Sequence, residues 1–120
     1  LDLLQQDFLP FKAVQMPVWG MTAHVLYRTL DDQRPATVSQ KVIDFIRINI
    51  GFNGFLVTAD ISMGALGNDV GQSAKDCLKA GCDAVLHCNG LMDEMHAVAD
   101  VVPAMTAPAF ERYLQAKELL

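Results

Sequence analysis

Two short apolar runs limit what this chain can become. Phe55-Leu56-Val57 and Ala84-Val85-Leu86 each follow a helix-patterned stretch closed by a glycine, Gly51 and Gly81. A strand that buries one face alternates apolar and polar residues, whereas one buried on both faces is apolar throughout. Both runs are of the second kind, and both end in polar tips: Thr58-Ala59-Asp60 and His87-Cys88-Asn89. Such strands, separated by helices of ten or more residues, indicate parallel crossover units. In parallel α/β folds the carboxyl ends of the strands are where ligands bind and chemistry occurs.

The rest of the chain extends this order. Leu1 to about Phe8 carries apolar residues at 1, 3, 4 and 8, a helical stripe that Pro10 is expected to end. Val18 to about residue 23 reads as a strand with the polar tip Thr22-Ala23-His24. Thr37-Val38-Ser39-Gln40 has the form of a capping box, with the Thr37 hydroxyl taking an orphan N–H. The helix it opens carries Val42, Ile43, Phe45, Ile46 and Ile50, and Gly51 is placed to close it in the left-handed region. Helices are expected over 71–80, over about 92–101 ahead of Pro103, and from Ala107 to about Leu119 behind a Thr106 cap. The sequence therefore predicts an α/β fold of three parallel βα units. These make a small open sheet or roughly three-eighths of an eight-stranded barrel.

Composition narrows the function. The chain has 120 residues, of which 52% are hydrophobic, and a mean hydropathy of +0.23. That excess fits elements buried on several sides, or a surface covered by further chain. The net charge is −5, with Lys and Arg scattered singly, so no nucleic-acid footprint is present. No apolar run reaches the roughly eighteen residues of a membrane span. The opening Leu1-Asp2-Leu3-Leu4 lacks the layout of a signal peptide and reads as the interior of a longer protein. Three cysteines without secreted-scaffold spacing favour a reducing, cytoplasmic setting.

Asp60 is the evident candidate acid, a carboxylate just past a buried strand; the plainer reading is that it caps the following turn. His24 and Asn89 also lie at strand tips and, with Asp60, converge on one end of the sheet, with His87 beside them. Cys77, Cys82, His87 and Cys88 match no zinc-ligand spacing, and Cys77 and Cys82 read as small core residues. His96 reads as a surface residue. Gly64, Gly67 and Gly71 fit no phosphate-loop pattern. No metal and no cofactor are expected.

Several linked segments then carry a resemblance. Met21-Thr22-Ala23-His24-Val25-Leu26-Tyr27, Arg34-Pro35-Ala36-Thr37, Gly51-Phe52-Asn53-Gly54 running into Thr58-Ala59-Asp60-Ile61-Ser62-Met63, and Ala80-Gly81-Cys82-Asp83 with Leu86-His87-Cys88-Asn89 occur in order. Together they resemble the bacterial family 3 glycoside hydrolases, in particular the cytoplasmic β-N-acetylglucosaminidases of peptidoglycan recycling. The resemblance implies that residues 1–120 are similar to the last three units of a TIM (β/α)8 barrel. It implies retaining hydrolysis through a covalent glycosyl-enzyme on an N-acetylglucosamine-containing muropeptide or glycoside. It also places His24 and Met63 at the sugar site. The family's acid/base loop and sugar-gripping residues would precede Leu1, so the rest of the barrel or a partner chain is implied.

At the family's nucleophile the sequence departs from the pattern. Aligned through Thr58 and Ser62-Met63, the position expected to hold Asp holds Ala59, and Asp60 matches the second acid of the motif. Adjacent strand residues face opposite ways unless the backbone bulges, so Asp60 is not expected to replace it. Ala59 marks either an introduced knock-out or a degenerate copy. Two other readings stand beside this one: a sugar-binding remnant without turnover, and a small α/β module that pairs with a copy of itself.

Overall fold

The computed structural model describes residues 2–13 and 18–118. Helix α1 (Asp2–Ala13) leads to strand β1 (Trp19–Met21), a 3₁₀ turn (Ala36–Val38) and helix α2 (Gln40–Phe45), which widens into a π-helical turn (Ile46–Ile50). Strand β2 (Phe55–Asp60), a second 3₁₀ turn (Ile61–Met63), helix α3 (Val70–Ala80) and strand β3 (Ala84–Leu86) follow. Helices α4 (Met92–Ala99) and α5 (Ala107–Glu118) complete the order. The strands form one parallel sheet, β1-β2-β3, as the apolar runs predict.

One face of the sheet is covered by helices. Leu56 packs with Ile43, Phe52, Ala80 and Cys82, while Ile61, Val70, Ala74, Cys77 and Val98 form a second cluster against Val85. Gly20 belongs to this face because space allows nothing larger: a Cβ there would lie 2.7 Å from the Phe52 ring. The opposite face is partly bare. Phe55 is covered by Trp19 and Tyr113, at centroid distances of 5.1 and 5.7 Å. Toward the carboxyl end cover runs out, and Met21 is 62% exposed.

Several local expectations need correction. Helix α1 continues through Pro10 to Ala13. The missing Pro10 N–H frees a carbonyl on exposed Gln6, where water can satisfy it, and Phe8 anchors the helix against Tyr27 and Phe45. Strand β1 stops at Met21, short of residue 23. The cap of α2 is Ser39, whose hydroxyl accepts from Val42 N; Thr37 is buried and bonded elsewhere. Gly51 does close the helix with φ 81°, but only after the π-helical turn. Thr106 caps α5 as expected, through the Ala109 amide, and α4 ends at Ala99 rather than near 101.

The amino end of the sheet is held by charge. Asp83, just before β3, has a side chain only 2% exposed. Its carboxylate accepts from Arg112 Nε and Nη2, from Arg47 Nη2 at 2.8 Å and from the Leu56 amide at 2.9 Å. Arg47 also donates to the Phe52 and Gly54 carbonyls and lies over the Phe52 ring. One carboxylate thus ties the π-helical turn, the turn before β2, β2 and α5 together. Burial pushes the Asp83 carboxyl up, but the arginines and the Leu56 amide outweigh it and leave the pKa below 3.8.

Removing one member of a buried charge cluster strands the rest. Asp83→Ala is therefore expected to cost about 3 kcal/mol or more in urea unfolding of the full chain. Because the folded pKa is depressed, the carboxylate's contribution is complete above 3.8 and fades as pH falls through the lower folded value. The stability gap between the parent and Asp83→Asn should narrow below that pH; a gap that widened in acid would contradict the assignment.

Candidate functional site

The carboxyl end of β2 is built around Ala59 and Asp60. β2 pairs with β1 through Trp19↔Phe55, Gly20↔Leu56 and Met21↔Val57, and Thr22 N continues the ladder to Val57 O at 3.0 Å. Toward β3 the register slips: Val57↔Ala84 is followed by Asp60↔Leu86, three residues on in one strand and two in the other. A bulge of this kind bends a strand and re-aims its side chains, and it recurs beside active sites. Thr58 stays fully buried, with its hydroxyl accepting from the Leu86 amide. Ala59, inside this bulged stretch, is half-buried.

The Asp60 carboxylate is engaged in hydrogen bonds that close the turn after β2. Its Oδ1 accepts from the Ser62 amide at 3.0 Å, the Ser62 hydroxyl at 2.8 Å and the Cys88 amide at 3.0 Å. The Ser62 hydroxyl also reaches Oδ2. The Ser62 amide, then its hydroxyl, hold the Asp60 pKa below 3.8 against a smaller upward push from burial, with the Cys88 amide adding to the lowering. This carboxylate closes the turn after β2 and ties it to the segment after β3.

His24 is present at this tip, but as a strut. Its Nε2 lies 2.9 Å from the Asp60 carbonyl and its Nδ1 3.0 Å from the Thr37 hydroxyl. Thr37 Oγ1 is 2.9 Å from Thr22 Oγ1, which accepts from the Ala59 amide at 3.3 Å. Met63, expected near the sugar, ends the 3₁₀ turn beyond Asp60 with 69% of its surface exposed. Asn89 and His87 both bond Glu94 and so brace the start of α4. The Asn89 side-chain Oδ1 accepts from the Leu91 amide. The His87 bond, then that of Asn89, lower the Glu94 pKa. His96 is exposed, as expected.

Sequence reasoning missed Thr37 as part of the site, since its burial and its partners at positions 22 and 24 leave no local mark. Thr22 was visible only as a polar tip. Burial pushes the Cys77 and Cys82 thiols up to about 12, which suits inert core residues. No cluster of three or more potential metal ligands occurs among the described residues. Nor is any described helix long and apolar enough to cross a membrane.

At the tip, residue 59 carries a methyl, and the neighbouring Asp60 carboxylate and His24 imidazole are engaged with Ser62, Cys88, Thr37 and the Asp60 carbonyl. Asp60→Ala is expected to speed amide hydrogen exchange at Ser62 and Cys88 about tenfold, equivalent to the loss of one charge-assisted bond. Unchanged exchange at both amides would refute this bracing role.

Comparison with known proteins agrees with this geometry. The family profile of the glycosyl hydrolase family 3 N terminal domain matches residues 2–113. A beta-hexosaminidase of Idiomarina loihiensis is 33% identical, across 88% of this chain and 33% of that protein. One of Glaesserella parasuis is 32% identical, across 93% of this chain and 34% of its own length. Native NagZ from Neisseria gonorrhoeae superposes with a TM-score of 0.79 at 27% identity, over 96% of this chain and 33% of that one. The same protein in complex with N-trifluoroacetyl-D-glucosamine superposes with a TM-score of 0.72 at 26% identity, covering 96% and 34%. The chain thus spans about a third of the length of these relatives.

Proposed function

This chain belongs to the glycosyl hydrolase family 3 N-terminal domain family, and from that membership we propose that it forms the last three βα units of a (β/α)8 barrel of β-N-acetylglucosaminidase type, with Ala59 at the nucleophile position. The observation that carries this reading is the tip of β2. Its bulge and bracing concentrate on residues 58–60, and the side chain at their centre is the Ala59 methyl. Asp60, the adjacent acid, is fully engaged with Ser62 and Cys88.

In a retaining glycosidase a carboxylate attacks the anomeric carbon, and a second group protonates the leaving oxygen and later activates water. Ala59 has no lone pair to attack with and no charge to set against an oxocarbenium ion. The chain as it stands therefore contributes a wall of the sugar site, with Met63 and the His24-braced tip at its rim, and does not turn over substrate. The substrate class is a terminal N-acetylglucosaminide, supported by the related protein that holds N-trifluoroacetyl-D-glucosamine. A muropeptide of peptidoglycan recycling in the cytoplasm is the natural setting for that specificity. The exposed Trp19 and Met21 on the open face support cover from the rest of a barrel or a partner chain.

Replacing the methyl tests this directly. Ala59→Asp in the full-length protein is expected to raise release of 4-nitrophenol from its N-acetylglucosaminide by about a thousandfold or more, the scale of restoring a nucleophile. Intact-mass measurement should then detect a glycosyl adduct during turnover. Neither release nor adduct from a folded variant would sink the reading.

A further inference from the structure

Four hydrogen bonds at the β2 tip close on themselves. The Asp60 carbonyl can only accept, so the His24 Nε2, 2.9 Å away, carries the proton. Nδ1 is then the acceptor and takes the Thr37 hydroxyl proton at 3.0 Å. Thr37 Oγ1 in turn accepts from the Thr22 hydroxyl at 2.9 Å, and Thr22 Oγ1 accepts from the Ala59 N–H at 3.3 Å. In this single arrangement each hydroxyl donates once and accepts once. Thr37 is 0% and Thr22 6% exposed, so a proton left without a partner here would carry a desolvation cost.

The circuit begins at the amide of residue 59 and ends at the carbonyl of residue 60. It is completed covalently through the backbone of those two residues, so their dihedrals are gripped at both ends. The other flank is gripped as well: Leu86 N donates to Thr58 Oγ1 and Cys88 N to Asp60 Oδ1. The bulge between Val57 and Asp60 lies inside this frame. None of the three side chains is near in sequence to β2, and none has a spare atom for a ligand along this path except Thr oxygen lone pairs.

We propose that Thr22, Thr37 and His24 are positioning residues, a hydrogen-bonded ring that sets the direction of whatever side chain stands at position 59. This rests on the reading of position 59 as the reacting position. Its purpose follows from leverage: a displacement of about 1 Å at a reacting atom can cost about a hundredfold in rate. The ring acts through the backbone of residue 59 and touches no sugar.

Two measurements separate this from the proposed activity. In nitrogen-15 NMR of the full chain, His24 is expected as the Nε2–H tautomer. Thr37→Val should remove the Nδ1 partner, mix the tautomers and shift the Ala59 amide, whereas Thr37→Ser should restore both signals. An Nδ1–H tautomer in the parent, or an Ala59 amide indifferent to Thr37→Val, would overturn the ring whether or not Ala59→Asp hydrolyses glycosides. In the Ala59→Asp background, adding His24→Ala or Thr37→Val should lower kcat about tenfold to a hundredfold while KM stays within about threefold. Thr37→Ser should keep kcat near that of Ala59→Asp. An unchanged kcat in folded His24→Ala and Thr37→Val variants would also overturn the proposal. If Ala59→Asp is itself silent, the nucleophile reading fails, and the tautomer and amide signals decide the ring.

Discussion

The buried carboxylate of Asp83 is the point on which the arrangement of this fold turns. It gathers Arg47 from the π-helical turn after α2, Arg112 from α5 and the Leu56 amide of β2. Apart from that tie the α2–β2 turn is held by the buried Phe52, because Gly51, Asn53 and Gly54 bring no apolar side chains. With it, Arg47 can also satisfy the carbonyls of Phe52 and Gly54. The amino end of the sheet is therefore tied by charge, beside the two helix-side apolar clusters.

The carboxyl end is held by different means. Here neutral hydroxyls, one imidazole and one turn-capping carboxylate brace the strand around residues 58–60. Such bonds are directional and individually modest, which suits a place where the aim of one side chain matters more than total stability. The two ends divide the labour that parallel α/β folds commonly divide, with stability at the amino ends of strands and function at the carboxyl ends. The bare stretch of sheet around Met21 lies toward the same carboxyl end as Ala59.

Much of the framework was readable from local pattern. The apolar runs became the strands of one parallel sheet, although β3 is only half-buried and one face of the sheet is partly bare, and Gly51 and Gly81 close helices at φ 81° and 113°. Pro10 misled because an exposed helix tolerates a lost hydrogen bond that a buried one does not. The capping-box pattern misled because two hydroxyls, Thr37 and Ser39, stood two residues apart. Ser39 took the cap and is itself bonded to Asp31. Thr37 was drawn into the interior by partners fifteen and thirteen residues away.

What the sequence by itself determined was the class of fold, the family and the absence of a carboxylate at position 59. All of these are carried by residue identity and short-range periodicity. Only the tertiary structure decided that Asp60 braces a turn, that His24 is a strut, and that Thr22 and Thr37 link His24 to the Ala59 amide. The reason is physical. A side chain's identity fixes which hydrogen bonds it is able to make, but which it does make depends on atoms brought within 3 Å by chain folding. Residues 22, 24, 37, 59 and 60 meet only once β1, the 3₁₀ turn and β2 have been laid side by side.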